Sequence, residues 1–261
     1  MYAFDVIRPA NVAEALEALK ADEAQALGGG QTLIPTLKQR LASPSRLVSL
    51  AGLDEIKGIC MTDDGLLAVG GGTPHARVAA EAGAYPALAA LAGGIGDPAV
   101  RNRGTIGGSL ANNDPAACYP SAVLASGATV VTNSRRIAAD DYFQGMFSTA
   151  LEEGEIITSV EFPIPQAASY QKFEQPASRF AMVGVFVARC AEGVRVAVTG
   201  ASEGGVFRWT EAEAALSADF SAAAVPAAPA AEGMISDLHG SGAYRAHLIA
   251  VLTRRAVNAA G

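Results

Sequence analysis

Two grammars of apolar and polar positions divide this chain. Up to about residue 165, short apolar runs that end in glycine alternate with stretches at helical spacing; beyond it, strand-like runs follow one another directly. Val12, Ala15, Leu16 and Leu19 recur at a period near 3.6. Asn11 stands before them as an N-cap, with Glu14 three residues on to close a capping box. A helix is therefore predicted over residues 12–20. QALGGG then reads as a short strand running into glycines, LIPTLKQRL as a short helix and RLVSL as a strand. LLAVGGG repeats the strand-into-glycine pattern. PHARVAAEAGAYPALAALAGG reads as helical segments interrupted at Pro86. ATVVT is a strand, Asp140, Asp141 and Tyr142 fall in a loop, and EIITSVEFPIP is a strand that stops at Pro163 and Pro165.

Past those prolines SYQKFEQ, FAMVGVFVARC and VRVAVTGAS predict three consecutive strands, an antiparallel meander with Val194, Val196 and Val198 on one face. Glu211–Leu216 predicts a short helix, and SAAAVPAAPAAEG an exposed linker. Tyr244, Leu248, Val251 and Leu252 mark a closing amphipathic helix. The fold class is α+β, divided at residues 1–57, 58–165 and 166–261.

The stretch GGIGDPAVRNRGTIGGSLANNDPAA, residues 93–117, fits neither period. Glycine weakens both helices and strands, so open backbone approached closely by a ligand is expected there. Two glycine-rich loops stand out, GGGQT at residues 28–32 and TIGGS at residues 105–109. Successive N–H groups in such turns form concave anion sites, and Thr32, Thr105 and Ser109 add hydroxyl donors. Neither loop matches GxGxxG opening a helix or GxxxxGK[ST], which argues against Rossmann and P-loop sites. Each alone reads as a tight turn; the pair reads as the two sides of a diphosphate site. A branched side chain at Gly29 or Gly107 is then expected to expel the ligand and leave the sheet folded. Arg101 and Arg103 either screen phosphates or, the preferred reading, anchor the loop through carbonyls.

Composition narrows the classes. Half of the 261 residues are hydrophobic and the net charge is -7, which supplies a core and disfavours nucleic acid. No basic-then-apolar leader and no bilayer-length apolar run are present, so a cytoplasmic location is expected. Cys60, Cys118 and Cys190 are scattered, as are His75, His239 and His247, so neither an iron–sulfur nor a zinc site is expected from this chain.

GGGQTLIPTLKQRL and IGDPAVRNRGTIGGSLANNDPAA resemble the FAD-binding medium subunit of molybdenum hydroxylases, a family that includes the carbon monoxide dehydrogenase medium subunit and the flavin segment of xanthine dehydrogenase. RRIAADDYFQGMFSTALEEGEIITSVEFP and YRAHLIAVLTRRAV extend the likeness from about Phe4 to Val257. The resemblance implies a vanillyl-alcohol-oxidase (PCMH)-type FAD-binding domain of two subdomains, followed by an antiparallel sheet-and-helix domain. It implies an FAD wall from Leu27, Gly28, Gly29, Gly30, Gln31, Thr32, Leu33 and Ile34, and a second from Ile95, Thr105, Gly107, Gly108 and Ser109. Asp114 lies near the adenosine half, and Ile157 contacts the cofactor. Cys118 stands where the family often has an acid, and Glu174 where a cation near the flavin ring is frequent.

By the same resemblance this chain is the FAD-binding, electron-transferring subunit of an oxidoreductase. Electrons come from a small subunit with 2Fe–2S clusters, fed by a large subunit with the molybdenum cofactor, and leave to NAD or another acceptor. The implied assembly is a dimer of heterotrimers. No side chain needs to do acid–base chemistry, and no catalytic residue or metal ligand is named. A self-contained FAD-dependent reductase of the same fold and a non-enzymatic nucleotide-binding module are the alternatives.

Overall fold

The structure, a computed structural model, describes residues 1–260. Its first sheet is parallel: β1 (Asp5–Ile7), β2 (Ala24–Leu27) and β3 (Arg46–Ser49) lie in the order β1-β3-β2. Helix α1 (Val12–Leu19) joins β1 to β2, and α2 (Leu33–Lys38) joins β2 to β3. Asn11 caps α1, accepting the Glu14 N–H at 2.8 Å. The Glu14 carboxylate reaches back to the Ala10 N–H at 2.9 Å, one residue earlier than a standard capping box. Ala15, Leu19, Val48, Leu53 and Ile56 pack on Ile156, so this core already includes a residue from far along the chain.

The second sheet is antiparallel, in the order β4-β5-β10-β6-β7. Its strands are β4 (Ile59–Met61), β5 (Leu67–Gly70), β6 (Thr129–Thr132), β7 (Arg136–Ala138) and β10 (Ile157–Phe162), with a separate hairpin of β8 (Phe143–Gly145) and β9 (Ser148–Thr149). Between β5 and β6 the chain makes a long excursion through α3 (His75–Glu81), α4 (Pro86–Gly93), α5 (Pro98–Arg101), α6 (Ile106–Asn112) and α7 (Tyr119–Ser126). Pro86 opens α4 at its first turn, where a missing N–H costs nothing. Val69, Leu88, Leu91, Ile106, Tyr119 and Phe162 are fully buried in the core between these helices and the sheet. Asp140, Asp141 and Tyr142 belong to a single helical turn, α8 (Ala139–Tyr142), rather than a loop.

The third sheet, β11 (Ala167–Glu174), β12 (Ala181–Cys190), β13 (Gly193–Thr199) and β14 (Phe207–Arg208), is the predicted meander with one short strand added. Strand β12 is buried along nearly its whole length. Val183, Val185 and Val187 face a core shared with α9 (Thr210–Ala218) and α10 (Gly242–Ala260); Phe186 and Ala188 face the core of the second sheet. Val194, Val196 and Val198 share one face, as their alternation predicts. Leu248 and Leu252 of α10 are buried, but Tyr244 is 41% exposed and meets Phe173 edge-on at 6.3 Å. An ion network ties this sheet to the second: Arg195 and Arg208 reach Asp140 at 2.6 and 3.4 Å, and Arg208 also holds Glu213 at 2.6 Å.

The glycine-rich stretch departs most from expectation. TIGGS is not an open loop; it begins α6, capped by Thr105, whose hydroxyl accepts the Gly108 N–H at 3.1 Å. Two glycines cost a helix about 1 kcal/mol each relative to alanine. Close backbone packing requires one of them: a Cβ on Gly107 would stand 2.6 Å from the Gly71 carbonyl oxygen. A Cβ on Gly29 would stand 1.8 Å from the Arg103 carbonyl oxygen, and one on Gly71 2.1 Å from that of Ile157. These glycines mark crossings of one backbone over another. Gly29→Val is therefore expected to destabilise the ligand-free chain by more than about 2 kcal/mol. Urea unfolding of the ligand-free variant checks this, and an unchanged midpoint would show that Arg103 yields freely.

Candidate functional site

A cleft of about 980 Å³ opens where the first two sheets' chains meet. That is at the upper end of the range for small-molecule sites, roughly 300–1,000 Å³. The turn after β2 supplies Leu27, Gly28, Gly29, Gly30, Gln31, Thr32 and Leu33 to one wall. Thr105, Gly107, Gly108 and Ser109 of α6 supply a second, and Ile95, Asp114, Cys118 and Ile157 also line the space. The two walls come close at one point: a Cβ on Gly28 would be 3.2 Å from the Thr105 hydroxyl. Gly30 adopts φ +72°, which glycine tolerates without strain and which turns the chain toward α2.

Two predicted residues fall outside the cleft. Ile34 packs beneath the turn, its Cγ1 3.0 Å from where a Gly30 Cβ would be. Glu174 sits at the end of β11 with its side chain 51% exposed, 3.6 Å from Lys172. The alternation of a strand puts Lys172 and Glu174 on the same face. Lys172 is the buried member: it donates to the Gly94 carbonyl at 2.7 Å and the Arg179 carbonyl at 2.8 Å. It thereby ties together the Ile95 and Phe180 edges of the cleft.

The walls differ in what they offer an anion. Along α6 every early amide is taken within the protein. Ile106 donates to Thr73, Gly107 to Gly71, Gly108 to the Thr105 hydroxyl and Ser109 to the Thr105 carbonyl. This wall therefore presents the hydroxyls of Thr105 and Ser109 instead of a main-chain nest. In the first wall, the N–H groups of Gly29, Gly30, Gln31 and Thr32 have no protein acceptor among the described residues. A run of unclaimed amides in a concave turn is an anion site by the dipoles of its backbone alone.

Charge follows the same division. Arg101 anchors the loop as preferred from the sequence, donating to the carbonyls of Ile95 and Gly96 at 3.0 and 2.9 Å. Of the cations that line the cleft, Lys57 pairs with Asp54 and Arg77 with Glu81. Arg103 and Arg179 have no carboxylate partner among the described residues, and the main chain of Arg103 lies against Gly29, at the start of the unclaimed amides. Asp114 accepts the Ala116 N–H at 2.8 Å in a local turn, while the next carbonyl, that of Pro115, accepts from Thr199 of the third sheet at 2.7 Å. Burial pushes the Cys118 thiol up, as expected of a small buried filler rather than a nucleophile. Glu155 is held well below the usual carboxylate range, first by the Arg135 guanidinium.

His75 was not anticipated, because a lone histidine three residues after a strand-ending glycine run carries no motif. It begins α3, lines the cleft and is 5% exposed. Burial, aided by Arg101, pushes its imidazole down to about 4. The unfolded chain takes up that proton near pH 6.5, the folded chain only near pH 4. The stability from keeping it neutral is thus complete above pH 6.5 and lost as pH falls toward 4, a change of about 3 kcal/mol. His75→Phe is expected to flatten this part of the ligand-free stability profile. Denaturant midpoints at pH 7.5, 5.5 and 4.5 measure it, and parallel profiles for the two proteins would refute it.

Comparison with known proteins identifies the family. Residues 2–165 match the family described as the FAD binding domain in molybdopterin dehydrogenase. The nicotine 6-hydroxylase medium subunit of Paenarthrobacter nicotinovorans is 35% identical, over 97% of this chain and 95% of its own. The carbon monoxide dehydrogenase medium chain of Afipia carboxidovorans is 32% identical, over 98% and 96%. Among solved structures, carbon monoxide dehydrogenase from Hydrogenophaga pseudoflava superposes with a TM-score of 0.89 at 31% identity, covering 98% of this chain and 96% of that one. Quinoline 2-oxidoreductase from Pseudomonas putida 86 gives 0.88 at 32%, covering 99% and 96%. The fold is thus the PCMH-type FAD-binding domain with its C-terminal sheet-and-helix domain, and the chain belongs to the family of FAD-binding medium subunits of molybdenum hydroxylases, an oxidoreductase component of a multi-subunit enzyme.

Proposed function

We propose that this chain carries electrons from a partner iron–sulfur subunit to NAD or another acceptor by way of FAD held in the cleft. The partner would in turn be reduced by a large subunit with the molybdenum cofactor, in a dimer of such trimers in the cytoplasm. The observation that carries the reading is the run of unclaimed amides from Gly29 to Thr32 beside the unpaired Arg103. It fits a diphosphate in a chain whose net charge is -7, because the attraction is local. FAD supplies the exchange between single electrons and hydride; the chain's own residues bind and orient it.

In this reading the Gly29–Thr32 amides and Arg103 hold the diphosphate from one side. The hydroxyls of Thr105 and Ser109 hold it from the other. Gly28 and Gly108 keep the passage between the walls open, since neither has a side chain to fill it. Leu27, Leu33, Ile95 and Ile157 supply apolar contact, and Asp114 and Cys118 border the adenosine end. Ile34 supports the turn from behind, and Glu174 takes no part in binding. The three sheets, divided after residues 57 and 165, are the proposed units. Their shared cores make the cleft a property of all of them.

The purified native protein should be yellow and bring two partner chains with it. Flavin absorbance without partners would favour the self-contained reductase, and a colourless protein that takes up no FAD would refute the reading. Arg103→Gln is expected to weaken FAD binding about 10- to 100-fold, the weight of one charge-assisted contact. It should also reduce the salt dependence of binding. A titration at two ionic strengths checks this; unchanged affinity and slope would place Arg103 outside the phosphate site.

A further inference from the structure

His75 has a second property beyond its neutrality. Its Nδ1 is buried with no hydrogen-bond partner, and the ring as a whole forms no hydrogen bond among the described residues. The large majority of buried side-chain polar atoms have a hydrogen-bond partner, because an orphaned one costs about 1–3 kcal/mol. The ring is nevertheless held firmly. Its backbone N–H donates to the Gly104 carbonyl at 2.9 Å, and its plane meets Tyr119 at 5.2 Å between centroids. Its Nε2 stands at the Gly104 edge of the cleft, where a Cβ would come within 2.6 Å. The missing Gly104 side chain is what admits the imidazole to that edge, between Arg103 and Thr105 in the chain.

The proton of a neutral imidazole sits on one nitrogen. A buried donor without an acceptor is rarer than a buried lone pair without a donor. The environment therefore puts the lone pair on the enclosed Nδ1 and the N–H on Nε2, where cleft space can provide an acceptor. On the reading that FAD occupies the cleft, we infer that His75 is a binding residue. Its Nε2–H donates to a cofactor oxygen where the two glycine walls meet. A neutral donor suits this place: it adds direction without a second charge beside Arg103.

The test uses the native complex, freed of flavin and titrated with FAD, with quenching of flavin fluorescence as the readout. His75→Phe keeps the ring packing on Tyr119 and removes both nitrogens. It is expected to weaken FAD binding about 10-fold, the loss of one hydrogen bond. The melting temperature of the flavin-free complex should hold or rise, because an orphaned buried nitrogen has gone. His75→Gln, which restores an N–H at about the same reach, should recover most of the affinity. Wild-type affinity in His75→Phe would overturn the inference. So would weakened binding that only accompanies a lower flavin-free melting temperature, the mark of a packing role. If the wild-type complex takes up no FAD, the functional reading itself falls, and this inference with it.

Discussion

Backbone laid directly on backbone governs this molecule. Gly29 lies on the Arg103 carbonyl, Gly71 on the Ile157 carbonyl and Gly107 on the Gly71 carbonyl, each too close for a Cβ. The crossings carry ladder-like bonds: Gly107 N–H to Gly71, Ile106 N–H to Thr73 and His75 N–H to Gly104. Such contacts cannot slide without breaking hydrogen bonds in a dry environment. They fix the start of α6 against the turn after β5, and the Gly29–Arg103 approach sets how near the turn after β2 comes to it. Everything that faces the cleft inherits its position from these crossings.

Glycine therefore has two separate uses here that look alike in sequence. At Gly29, Gly71 and Gly107 it admits another part of the same chain. At Gly28 and Gly108 the atom a Cβ would meet first is the Thr105 hydroxyl, at 3.2 and 3.0 Å, on the cleft side of the joint. The amides follow a matching division. Those of α6 are consumed in building the joint, whereas those of Gly29–Thr32 are left for something else. On the proposed reading a diphosphate would meet free N–H groups on one wall and hydroxyls on the other.

Much of this was legible in the amino-acid pattern. The alternating valines of β13, the Asn11–Glu14 cap and the apolar run of β12 each specify a local structure that tertiary packing only reinforces. Most residues expected around the cleft do line it, because the loops that carry them are short and bounded by strong elements. The failures share a cause. Reading TIGGS as an open loop used glycine's intrinsic aversion to helices, which the Thr105 cap and the Gly71 contact override. Placing Glu174 at the site required knowing which of two residues on one strand face turns inward, and burial chose Lys172. His75 was invisible because its significance is an absence of partners, which no local pattern encodes.

Strand β10 has a further consequence. It fills the centre of the second sheet, between β5 and β6, and also brings Ile157 to the cleft and supports the first sheet's core through the preceding Ile156. While the chain is still emerging from a ribosome, the second sheet is open at its middle until residue 162 is free. The core above that sheet then still lacks Phe186 and Ala188. Long-range pairing of this kind closes late. A cleft lined by residues from Gln25 to Phe180 is accordingly complete only after most of the polypeptide has been made.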